Sequence, residues 1–130
     1  MPEWTMKNFA DIEDRSPADV GMEWHFARKE LGFSQLGVSR FTFEPDVRFP
    51  FAHRHREQEE AYVVVAGSGR AKLGDDIVEL TQWDVIRVPP AVGRQFEAGP
   101  DGLELICVGG PRPDGGDGEP VEDFWDCGHG

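Results

Sequence analysis

The chain has 130 residues, 38% of them apolar, enough for one compact domain with a buried core. Its formal net charge is −12 and its isoelectric point is about 4.6, so phosphate backbones and anionic lipids are repelled, and neither nucleic acid nor a membrane surface is an expected partner. Sixteen Gly and ten Pro favour frequent turns over a helical bundle.

Residues 1–34 form an N-terminal segment that lacks the basic start and apolar core of a secretory signal, which points to a cytoplasmic chain. Ser16-Pro17 marks a break, and Met22, Trp24 and Phe26 then alternate with Glu23, His25 and Ala27 at the period of a strand. Val38 to Glu44 reads as the next strand, ended by Pro45. Phe49, Phe51, His53 and His55 fall on one face of an extended segment. Glu60 to Ala66 is strongly β-prone and includes the longest apolar run, Ala61 to Ala66, far too short to span a bilayer. Gly67-Ser68-Gly69 reads as a turn. Arg70 to Leu73 and Ile77 to Leu80 suit a hairpin around Gly74-Asp75-Asp76. Val85 to Val88, Gln95 to Glu97 and Leu103 to Val108 complete a set of strands whose spacing predicts an antiparallel sandwich or barrel. Helix signals are weak throughout.

The barrel is expected over 35–108 and a polar, flexible Gly/Pro-rich linker over 109–120, followed by an acidic tail to 130. Val121, Phe124 and Trp125 predict that the tail docks on the barrel or on a partner subunit. Cys107 reads as a small core residue. A Cys107–Cys127 bridge is conceivable but disfavoured in a reducing compartment.

Chemistry concentrates in one short stretch. Residues two apart in a strand point the same way, so His53 and His55 project together while Arg54 and Arg56 face the other side. Glu57-Gln58-Glu59 turns the chain back and brings Glu60 beside both imidazoles. Two imidazoles and a carboxylate suit Fe, Mn, Ni, Co or Zn, whereas a polar edge segment is the bland alternative. Tyr62 and Val64 share the inward face with Glu60, and Phe96 shares one with Arg94. With Phe51 these outline an apolar ligand pocket with a few polar groups. Neither a phosphate-binding glycine loop nor a nucleophile motif is present, so no nucleotide cofactor is expected.

The spacing His53-x-His55, four residues, Glu60, six residues, Gly67 resembles the first motif of the cupin superfamily, with Val47 where that family has an opening glycine. The resemblance covers residues 35–108 and implies an all-β cupin jelly roll, a metal site at His53, His55 and Glu60, and a homodimer. An enzyme of this kind would be a metal-dependent oxygenase or an isomerase. The second motif is eroded. Trp83, Pro89-Pro90-Ala91, Arg94 and Ala98 stand where the family pattern has glycine, Pro-x-Gly, a ligating histidine and asparagine.

Arg94 changes the expectation, because a guanidinium keeps its protons and cannot coordinate. At ~4 Å from a divalent ion it is repelled by on the order of 8 kcal/mol at an effective dielectric of ~20. Three readings follow. His53, His55 and Glu60 hold a metal while Arg94 reaches for an anionic ligand alongside Tyr62, Phe51 and Phe96. Alternatively the pocket is metal-free, with Arg94 paired to Glu60 or serving as an anion clamp in a ligand-binding or sensor module. In the third reading the pocket is vestigial and the acidic tail carries the function.

Overall fold

The computed structural model describes residues 3–125. Among them the chain is chiefly extended. The strands are β1 (Met22–Phe26), β2 (Gly37–Phe43), β3 (Ala52–His55), β4 (Glu60–Leu73), β5 (Asp76–Leu80), β6 (Val85–Val88), β7 (Arg94–Gly109) and β8 (Gly118–Val121), and α1 (Arg28–Leu31) is a single helical turn. All the pairings are antiparallel. The order is β1-β2-β7-β3-β8, while β4 pairs with β7 and carries β5 and β6. Long β7 is shared by β2, β3 and β4, so the sheet curls into the expected all-β jelly-roll barrel.

Period-2 alternation does the positioning. Glu60, Tyr62 and Val64 of β4 are buried, and Phe96, Ala98, Leu103, Leu105 and Cys107 of β7 face them across one core cluster. Trp24, Phe41 and Phe49 pack against its margin.

Where sequence suggested two strands, the structure has one continuous strand twice over. Glu60 to Ala66 continues through Arg70 to Leu73 as β4, and Gln95 to Glu97 continues through Leu103 to Val108 as β7. The Gly67-Ser68-Gly69 stretch is not a turn but the site of register shifts within the β4–β7 ladder. Gly67 has φ +78°, and a Cβ there would collide with the Gly102 carbonyl oxygen, so glycine lets the two backbones approach.

The linker expectation is also corrected at its end. Gly118 to Val121 pairs residue for residue with β3, from His55↔Gly118 to Ala52↔Val121. The tail then docks as expected: Trp125 is buried, with the guanidinium of Arg48 4.2 Å and that of Arg70 5.3 Å from its ring centre. Cys107 is buried in β7, while Cys127 of the conceivable bridge lies outside the described residues. Among the described residues no helix is long and apolar enough to cross a membrane.

Candidate functional site

His53 and His55 leave β3 on its inward side, their ring centres 5.0 Å apart, while Arg54 turns outward to Glu119. Register fixes what lies opposite, because His53 is the direct β7 partner of Arg94. After the turn, β4 opens with Glu60. One ligating atom each from His53, His55 and Glu60 lies within 4.8 Å of the others, so the three residues picked from sequence do converge.

The centre of this group is Glu60 Oε1. It accepts the Tyr62 hydroxyl at 2.5 Å and an Arg94 Nη1 proton at 2.7 Å. The Nε2 atoms of His53 and His55 each stand 3.5 Å from it. The Cys107 thiol donates to Oε2 at 3.4 Å. Arg94 is fully buried, and its other donors reach the carbonyls of Pro89, Pro90 and Val92. Its donors are therefore engaged by Glu60 and by backbone oxygens, while the residue itself lines the cavity.

On the far side of His55 lies a residue that sequence reading missed. The His55 Nδ1 proton is donated to Asp117 Oδ1 at 2.9 Å, an assignment forced because the carboxylate can only accept. Asp117 Oδ2 accepts the backbone N–H groups of Glu57 at 2.5 Å and Gln58 at 2.9 Å, so the tail holds the turn and the imidazole together. The remaining ring nitrogen, His55 Nε2, is buried and has no hydrogen-bond partner among the described residues.

These groups open on a cavity of about 680 Å³. Tyr62 and Phe96 are buried in its wall with ring centres 4.5 Å apart, and Phe51, 48% exposed, lies at its mouth. Trp24 stacks on Phe49 at 5.0 Å, and Phe51 meets Phe49 edge-on at 5.1 Å, which gives the cavity an aromatic side. Arg28 and Arg112, also unassigned from sequence, line the same cavity.

No family model matches the chain, and no curated protein matches it. Solved structures do. A cupin protein from Bacteroides fragilis is 24% identical over 84% of this chain and 89% of its own, with a TM-score of 0.64. A sugar phosphate isomerase of the cupin superfamily from Silicibacter pomeroyi is 22% identical over 84% and 77%, with a TM-score of 0.71. Oxalate decarboxylase from Bacillus subtilis matches 92% of this chain with 34% of its own, at 20% identity and a TM-score of 0.74. The chain has the cupin fold.

Within this cupin barrel, electrostatics separate the groups. Burial alone would raise the Glu60 carboxyl, but the two imidazoles and the Tyr62 hydroxyl hold it well below the usual carboxylate range. Burial pushes the Tyr62 hydroxyl and the Cys107 thiol up, so both stay neutral donors at neutral pH. Burial would depress His55, yet the carboxylates of Glu60 and Asp117 outweigh it and raise the imidazole above its ordinary value. For Asp117, burial is outweighed by the Glu57 N–H, the His55 imidazole and the Gln58 N–H, which bring its carboxyl to about 2.

Proposed function

We propose that this cupin barrel binds a small anionic organic ligand over a divalent transition metal held by His53, His55 and Glu60. The observation that carries the reading is His55 Nε2, buried among the described residues with no close hydrogen bond and only the Glu60 carboxylate, at 3.5 Å, before it. Buried nitrogens are rarely left unpaired, and an exception calls for an ion, a ligand or a water to complete it. A carboxylate on the opposite ring nitrogen, as Asp117 provides, is the usual support of a metal-ligating imidazole. The donors fit Fe, Mn, Ni, Co or Zn in kind, the Arg94 guanidinium 2.7 Å from Glu60 Oε1 has to give way for an ion to bind there, and the ion would then supply Lewis-acid charge to a ligand in the cavity. The names of two structural neighbours refer to small anions, a sugar phosphate and oxalate, which supports the ligand class.

A second reading rests on Arg94. Its guanidinium already neutralises Glu60 at 2.7 Å and, being fully buried, stands where a metal-binding cupin site has its fourth ligand. On this reading the pocket is metal-free, and the imidazoles meet the ligand directly as hydrogen-bonding or acid–base groups.

Elemental analysis of untagged protein, dialysed after exposure to each of the five metals, separates the two. Near-stoichiometric metal that is lost in His53→Ala, with the melting transition retained, is the expected result. Metal-free wild-type protein after the same treatment would sink the first reading and leave the second. The homodimer suggested by the resemblance is carried forward as a proposal, checked by sedimentation of the full chain.

A further inference from the structure

The chain has ten arginines in an excess of acid, 25 Asp and Glu against 13 Lys and Arg. Among the described residues eight of the ten lie 2.6–3.6 Å from a carboxylate. The two without such a partner are Arg28 and Arg112, and both line the cavity that holds His53 and His55. Among the described residues, the two arginines without a carboxylate therefore share one cavity.

The two are also placed together. Arg28 is half-buried at the start of α1, and Arg112 follows the end of β7. Burial, and then the nearby charge of Arg112, lower the Arg28 guanidinium below its ordinary value. The backbone makes room for this. A Cβ at Gly37 would lie 2.8 Å from Arg28 Nη2, and Gly37 pairs with Gly109 where β2 meets β7. Two like charges on one cavity, one of them partly desolvated, are unfavourable until an anion joins them. Among the described residues the carboxylates that line the cavity are paired elsewhere: Glu60 with Arg94, Glu30 with Lys7, Glu13 with Arg15 and Glu119 with Arg54 and Arg56.

We infer that Arg28 and Arg112 form an anion subsite that grips the carboxylate or phosphate of a ligand whose apolar body lies along Trp24, Phe49 and Phe51. The inference rests on the small-anion reading above and moves the anion contact from Arg94 to this pair. A carboxylate or phosphate suits the guanidinium fork, and a flat apolar body suits the stacked aromatic wall. The far end of such a ligand then faces the imidazoles.

Calorimetry at 50 mM NaCl with phenyl phosphate against phenol, and benzoate against benzamide, tests the subsite on the full chain. Wild-type protein is expected to prefer at least one anion over its neutral counterpart by tenfold or more, and the pair with the larger preference names the group. Arg28→Met/Arg112→Met should reduce that preference below twofold while metal content stays as in wild type. Arg112→Met alone changes an exposed side chain outside the strands and should give an intermediate loss if the double variant fails to fold. The titrations are run on wild-type protein before and after removal of metal with EDTA: a preference that persists in the stripped protein and is lost in the double variant belongs to the arginines, so failure of the metal reading is distinguishable from failure of the subsite. Absence of any anion preference in wild type, or its survival in the double variant, overturns the inference.

Discussion

Glu60 and Arg94 set the energetics at the level of single residues. Each is a buried charge whose desolvation is offset by the other, by the imidazoles, the Tyr62 hydroxyl and the Cys107 thiol around Glu60, and by the Pro89, Pro90 and Val92 carbonyls around Arg94. Arg94→Met leaves Glu60 buried without its guanidinium partner, and should destabilise the fold by about 3–5 kcal/mol in urea unfolding. Arg94→His tests the other side of the same geometry. It places an imidazole on the direct β-partner of His53 and removes the competing cation, so zinc affinity measured by chelator competition should rise at least tenfold. No rise would count against the assignment of Arg94 to the position of the missing ligand. Asp117 gives a pH signature in protein stripped of metal. Its carboxyl sits at about 2 in the fold against about 3.9 unfolded, so its contribution is complete above pH ~4 and disappears as pH falls toward 2. His55 has the opposite sign: its raised value contributes below the ordinary histidine range and is lost as pH rises through the folded value. Asp117→Asn should therefore cost roughly 2 kcal/mol at pH 6 and little near pH 2. An equal loss at both pH values would mean that the aspartate acts by shape alone.

At the scale of elements, β8 is the piece whose importance sequence hid. Period-2 alternation and a short return loop were enough to bring His53, His55 and Glu60 together, because those contacts are local. The Arg94–Glu60 pair was legible as one of two alternatives through the family spacing, and burial decided it. The Asp117–His55 bond joins residues 62 apart and arises from a Gly-Gly-Asp-Gly stretch whose composition signals only flexibility. Likewise Gly67 read as a turn, since a bulge and a turn ask for the same residue until the neighbouring Gly102 carbonyl is known. Truncation after Gly109 should thus strip β3 of its β8 partner and leave the His55 ring free to rotate. Faster hydrogen exchange at the β3 amides, together with lost metal, is the expected result. Unchanged β3 exchange would show that β8 does not hold the site.

On the scale of the whole molecule, charge gives the anion subsite a distinctive salt response. A net charge of −12 repels any anionic ligand at long range, and two unmatched arginines attract it only near the cavity. At 0.01 M salt the Debye length is about 30 Å, so the repulsive field of the whole chain reaches the mouth; at 0.15 M it is about 8 Å and only the neighbouring charges count. In wild type the two effects oppose, and affinity for phenyl phosphate should change little between these salts, because screening weakens both the arginine contacts and the general repulsion. In metal-stripped Arg28→Met/Arg112→Met the general repulsion outweighs the paired cations that remain, so whatever weak binding persists should strengthen as salt is added. Calorimetry across that range reads the sign directly. A fall in affinity with salt in the double variant would mean that another group of cations still holds the anion, and the subsite would have to be sought elsewhere on the barrel.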